Sequence, residues 1–421
     1  MNAEMLYALR DPAGIPSHPL VFLLLAVLTF ALHVAAVQVM LGAGALVLRG
    51  AFSAQPHWRR LAATMLNTAK IAVSVAIVIG VAPLLFVQVL YDPFWYTSNV
   101  LSARWVIGFI VILIAGYMAM YGYYWRNPNL ATQPAKSSWM MMLSLALLLL
   151  VGWIMHVLSY QMLWPEQWQQ WYAPQGRIDA SGSGLHAYSL ARFGFFIALA
   201  APVTGAWLVA VRRYLQGAGV GEEKGDAAYL AFLARLARTL MLPGGVLALA
   251  VGALWLLTLP EKMAFFATSP WMLAALVLLL VAVALPTLLG QRLERGLWGY
   301  AVFGVGAVAL IAVAAAREVL RYTMLSSVHG YDALDYKINM DWYSTLTFFI
   351  TFGVLGGVTL GYLLTVAWQA GQHRGGDVSP GGASAVYTPS AAVTRLGRWS
   401  VGLLVVWIVH YFVVGFYTMV R

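Results

Sequence analysis

The residues able to do chemistry in this chain are those that interrupt its apolar stretches. His33 falls in the middle of the first such stretch and His156 near the end of the fourth. His186 opens the fifth, with Arg192 less than two turns further along. Arg317, Glu318 and Arg321 end the eighth, and His410 is central in the tenth. An ionisable side chain in hydrocarbon costs about 3 kcal/mol or more, so each is a functional candidate. A neutral imidazole is the usual axial ligand of haem b, with a second His, a Met or an open site opposite. Glu318 and Arg321, three residues apart, share a helix face. They could form an ion pair, or the carboxylate could ligate iron while the arginine holds a haem propionate. A lone intramembrane histidine serves equally well as a hydrogen-bonding group between helices. A proton or solute path is a further use of such residues. His18, His57, His329 and His373 fall in loops and read as solvated.

The elements that must position these groups are transmembrane helices. The 421 residues are 62% hydrophobic and only 10% charged, where a soluble domain carries about a quarter charged residues. Windows of ~20 residues, the length that spans a ~30 Å hydrocarbon core, give ten candidates: 19–48, 70–90, 105–124, 139–158, 187–211, 240–258, 271–290, 298–317, 345–367 and 400–419. The fold expected is an all-α polytopic bundle. Connections after the odd-numbered spans hold sixteen of the 25 Lys and Arg, among them Arg49, Arg59, Arg60, Arg295 and Arg374. Against these stand only Glu222, Glu223, Asp226, Glu294 and Asp377. By the positive-inside rule that side is cytoplasmic and both termini lie outside. The net charge of +10 therefore follows topology, and no basic run with interleaved aromatics suggests nucleic acid. Cysteine is absent, which excludes disulfides, iron–sulfur clusters and covalently attached haem.

The outside loops carry Trp164, Trp168, Trp171 and Tyr172 in one case and a Tyr/Asp-rich run from Tyr322 to Ser344 in the other. Aromatics at that level form interfacial belts. The Gly/Ser/Pro-rich stretch within 371–398 reads as a cytoplasmic linker before a last helix at 399–421.

Taken in order, several segments resemble subunit I of the cytochrome bd-type quinol oxidases. Thr29-Phe30-Ala31-Leu32-His33 is similar to that family's opening helix, whose histidine ligates a haem at the oxygen-reducing site. Gly80-Val81-Ala82 followed by Gln88 resembles its second helix. Leu185-His186-Ala187-Tyr188, with Phe193, Phe195 and Phe196 after it, looks like the segment whose histidine ligates low-spin haem b. Glu318-Val319-Leu320-Arg321 resembles the start of the Glu-x-Gly-Arg-Gln-Pro-Trp motif, whose glutamate ligates high-spin haem b.

The resemblance implies a nine-helix haem-binding bundle over 1–370 with one to three haems b, or haem d at the oxygen site. His186 would hold a low-spin haem with Met241 or His156 opposite. His33 and Glu318 would ligate further haem, and Arg321 and Arg192 would face propionates. It also implies a bacterial inner-membrane location, quinol as electron donor, other membrane subunits and a periplasmic c-type cytochrome partner. The departures bear on activity. Pro83-Leu84 and Tyr322-Thr323-Met324 replace family residues, the third span lacks both family glutamates, and Leu259–Pro270 is too short for the quinol loop. Oxygen reduction needs protons carried inward, and apolar side chains do not carry them. The expectation is a haem b electron-transfer subunit, against a transporter or proton channel, or a cofactor-free anchor of a redox complex.

Overall fold

A helix satisfies its backbone hydrogen bonds internally, so apolar segments of this length can enter lipid only as helices. The computed structural model describes residues 3–217, 224–294, 297–373 and 387–420. Ten helices in it are long and apolar enough to cross a membrane: α1 (Pro19–Ala51), α2 (Pro56–Leu90), α3 (Ala103–Arg126), α4 (Ser138–Gln161), α5 (Leu190–Gly217), α6 (Asp226–Leu257), α7 (Pro270–Leu289), α8 (Trp298–Val328), α9 (Trp342–Gly371) and α10 (Ala391–Val420). The chain is an all-α, multi-pass membrane protein. Among the described residues the only β pairing is an isolated bridge between Ile15 and Ile338. Glu222, Glu223, Arg295, Arg374 and Asp377, together with 374–386 of the expected linker, lie outside the described residues.

Two helices start well before their apolar windows. α2 begins at Pro56 rather than 70, with proline at its first turn where no N–H is missed. α6 begins near Asp226 rather than 240. In both, arginines such as Arg59, Arg60, Arg235 and Arg238 prolong the helix beyond the hydrocarbon, their stems apolar and their heads in water.

The described chain forms two compact units. One comprises residues 1–210 and 231–338, the other 211–230 and 339–421. The bundle expected over 1–370 is thus divided, and the ninth span belongs with the tenth. Three polar contacts tie that pair: Ser400 Oγ to Thr359 Oγ1 (3.1 Å), Trp407 Nε1 to Thr351 Oγ1 (2.9 Å) and His410 Nε2 to Tyr343 Oη (3.2 Å). His410, stacked on Trp407 at 5.1 Å, is a helix-packing residue there.

In the first unit α1 and α2 run together along small buried residues, including Ala43, Ala62, Ala69 and Ala76. α1 meets α5 at Gly42, where any Cβ would fall 1.8 Å from Thr204 Oγ1. One end of the unit is capped by its loops. Phe94 packs edge-on against Tyr331 (4.8 Å) and Trp168 (5.8 Å), all three buried. The guanidinium of Arg10 lies over Tyr7, Tyr331 and Tyr336 at 4.3, 4.1 and 4.7 Å. The loop aromatics therefore do not form a simple interfacial belt: Trp168 and Tyr331 are core, and Tyr172 is exposed.

Candidate functional site

Beneath that cap, α1, α2, α4, α5 and α8 enclose a cavity with about 1080 Å³ of unfilled space, its mouth included. Six of the residues singled out in the sequence reach it: His33, His156, Arg192, Arg317, Glu318 and Arg321. They come from four helices, so tertiary packing alone brings them together.

His33 is oriented by its neighbour helix. Its Nδ1 lies 2.9 Å from the carbonyl oxygen of Ala76. A carbonyl only accepts, so Nδ1 carries the proton and Nε2 keeps its lone pair. Gly80, one turn along α2, makes room for the ring: a Cβ there would sit 2.7 Å from Nδ1. An imidazole held by one nitrogen against a backbone carbonyl is how proteins orient a histidine ligand.

Glu318 is the cavity's one carboxylate. Its Oε2 accepts from Arg321 Nη1 at 3.0 Å and lies 3.7 Å from Arg317 Nη1. The Tyr91 phenol faces it, and burial with the carboxylate's charge holds that phenol well above its usual range. Arg317 also lies over the Phe30 ring at 4.0 Å. Taking charges out of water is expensive unless they are paired.

Arg192 is paired less completely. It is 4% exposed, yet its Nε and Nη1 have no hydrogen-bond partner. The rings of Tyr160 and Trp255 face the guanidinium, at 5.6 and 5.9 Å. His156 sets its position indirectly. The His156 Nε2 accepts from the backbone N–H of Ser189 at 3.1 Å, and Ser189 Oγ accepts from the N–H of Arg192, capping α5. Three guanidiniums against one carboxylate leave an excess of two positive charges, and an unpaired buried donor set costs several kcal/mol. That excess of positive charge would suit an anionic group.

Two residues that the search for ionisable groups missed also line it or face it. Gln38, 2% exposed, donates from Nε2 to the Phe196 carbonyl at 2.5 Å and has no partner for Oε1. Tyr91 lies just past α2. Both are neutral, and an amide inside the first apolar run was the one signal available.

Two expected ligands lie elsewhere. His186 is not in α5 but in the extended segment before Leu190. Its ring stacks on Trp171 at 5.1 Å, its backbone N–H donates to Gln161 Oε1 at 3.3 Å, and its pKa is lowered by burial. Met241 is mid-way along α6, tight against Gly205, where a Cβ would fall 2.5 Å from its Cγ. It lies fourteen residues from Trp255, which Arg192 faces, or ~21 Å of helix. His186 and Met241 thus lie on different elements, one in the segment before α5 and the other mid-way along α6.

The chain matches no protein-family model, no curated protein and no solved structure.

Among the described residues no three His, Asp or Glu side chains gather into a self-contained metal site. Haem does not need one, because the porphyrin supplies four ligands and the protein one or two. The donors present suit that group: a free His33 Nε2, unpaired Arg192 donors for a carboxylate, and an apolar wall of Phe30, Phe193 and Phe196. His156 suits it less, since its Nε2 lone pair is already used by Ser189.

Proposed function

We propose that the chain is a haem b-binding membrane subunit that passes electrons between membrane quinol and a redox partner. The observation that carries this reading is Arg192, fully buried with unpartnered donors in the cavity that His33 enters. Bound haem b would supply one-electron chemistry. His33 would hold the iron through Nε2, its ring fixed by the Ala76 carbonyl. Arg192 would take a propionate, and Arg321 and Arg317 would share their charge between Glu318 and the second propionate. Tyr91, held protonated, would donate to Glu318 and keep that carboxylate from competing for the arginines. The bacterial inner membrane and a c-type cytochrome on the face assigned to the outside belong to the same proposal, through the charge bias of the loops and the bd-type resemblance.

The test is a dithionite-reduced minus oxidised spectrum of the purified chain, with pyridine haemochrome quantitation. Haem b bands are expected in the wild type, lost in His33→Ala, weakened in Arg192→Leu and unchanged in His186→Ala. A colourless wild-type protein from haem-replete cells refutes the reading. Loss of the bands in His186→Ala would move the haem to another place.

A further inference from the structure

The polar cavity carries a further donor that the haem reading leaves unused. Trp95 lies in a short helix, Asp92–Leu101, between α2 and α3. It lines the cavity and is 3% exposed, and its indole Nε1 has no hydrogen-bond partner among the described residues. An indole N–H can only donate. Leaving it buried and unpaired costs about 1–3 kcal/mol, which is why buried tryptophans usually find an acceptor.

Trp95 and Arg192 are brought to the same part of the cavity by α4. Ser98, three residues after Trp95 and on the same helix face, donates from Oγ to the Leu158 carbonyl at 2.8 Å. His156, two residues earlier on α4, accepts the Ser189 N–H and so fixes the start of α5, and Tyr160 faces the Arg192 guanidinium. The elements carrying both side chains are thus fastened to residues 156–160 of α4, little more than one turn. Between them they leave three donors open: Nε1 of Trp95, and Nε and Nη1 of Arg192. Arg321 differs, since it already donates to Glu318 at 3.0 Å. Three donors and an uncompensated positive charge call for an acceptor that is charged and has several lone pairs. A carboxylate has two oxygens with about four acceptor sites, where a neutral carbonyl has one oxygen and no charge.

We infer that Trp95 Nε1 and Arg192 together seat one carboxylate of the cavity's guest. This deepens the haem reading, resting on that reading's anionic guest and not on its iron. The test therefore uses a guest without iron. The full chain, purified in mild detergent from haem-starved cells, would be titrated with protoporphyrin IX and with its dimethyl ester, whose carboxylates are capped. The wild type should bind the free acid about tenfold or more tightly than the ester. Trp95→Phe should lose about tenfold for the acid, the worth of one hydrogen bond to a charged group, and nothing for the ester. A lost packing contact would weaken both. Because Nε1 bonds nothing in the chain, the substitution breaks no internal hydrogen bond. Trp95→Leu repeats the test should Trp95→Phe fail to fold. Equal binding of acid and ester by the wild type, or an acid preference kept in the Trp95 variants, overturns the inference. Either of those results in a chain that shows haem bands from haem-replete cells sinks this seat alone. An acid preference that needs Trp95, in a chain that stays colourless from haem-replete cells, sinks only the haem reading.

Discussion

The polar cavity and an apolar one among α5, α6, α7 and α8, with about 670 Å³ of unfilled space, are made from overlapping helices and have opposite chemistry. Adjacent residues of α1, Val34 and Ala35, face different cavities, as do Phe195 and Phe196 of α5. On α8 the wall changes from Val302–Leu310 to Arg317, Glu318 and Arg321 within two turns. The charged side chains lie in the first turn of α5 and in the second half of α8, toward the loop cap. The cost of a buried charge rises toward the bilayer centre. A charged cavity is therefore held most cheaply toward an end. The polar cavity must also be specified, each donor aimed by a second group, while the apolar one needs only small residues.

That contrast predicts very different tolerance to change. Glu318→Gln removes the one carboxylate among three guanidiniums, and Arg321 is 3% exposed. Removing one partner of such a buried pair typically costs ~3–5 kcal/mol. Thermal unfolding in detergent should show that loss, and Glu318→Leu combined with Arg321→Met should recover much of it. A Glu318→Gln protein as stable as wild type would mean that the arginines are not held by this carboxylate, and the proposed division of labour among them would fall.

A smaller effect compares one substitution in both places. Gly80→Ala puts a methyl 2.7 Å from His33 Nδ1 and must displace the ring or bend α2. Overpacking of this kind costs about 1–3 kcal/mol. Gly306→Ala meets open space and gains helix propensity of about 1 kcal/mol. The two melting shifts should have opposite sign. Equal shifts would show that the polar cavity is as pliable as the apolar one, and that His33 is not fixed.

The ten spans were legible because lipid leaves long apolar runs no other structure, and their polar ends were not, because Arg59 and Arg235 look like loop residues while extending helices. His33, Arg192, Glu318 and Arg321 stood out through the cost of charge in hydrocarbon. Gly80 stood out only through the resemblance of Gly80-Val81-Ala82 to the bd-type second helix, since its contribution is an absent side chain, and Gln38 did not, since a neutral amide passes a search for charges. The pairing of His186 with Met241 came from the bd-type resemblance, and their places needed the right start for α5 and α6. Both starts were misread, by a few residues for His186 and by several turns for Met241. The apolar cavity left no trace in the sequence, because small and branched apolar residues recur throughout the transmembrane helices.

The smallest effect expected concerns the cap, which lies over the polar cavity and holds the titratable groups that the apolar cavity lacks. His329 Nε2 is 3.7 Å from Glu166, which Lys262 also pairs, and Lys262 lies over the Trp164 ring at 3.6 Å. Burial lowers the His329 pKa from its ordinary 6.5, outweighing the attraction of Glu166. A histidine with a lowered folded-state value binds its proton more readily when the cap opens. The closed cap should therefore hold constant stability above pH 6.5 and lose some as pH falls from 6.5 through the lowered value, levelling below it. Its partner Glu166 is 43% exposed and screened by water, so the change is small, under ~1 kcal/mol. Hydrogen exchange of the 329–338 segment, corrected for the intrinsic effect of pH, should rise on acidification in the wild type and stay flat in His329→Gln. Protection that instead grows at low pH would mean that the Glu166 ion pair outweighs burial. The cap would then be latched by acid rather than loosened by it.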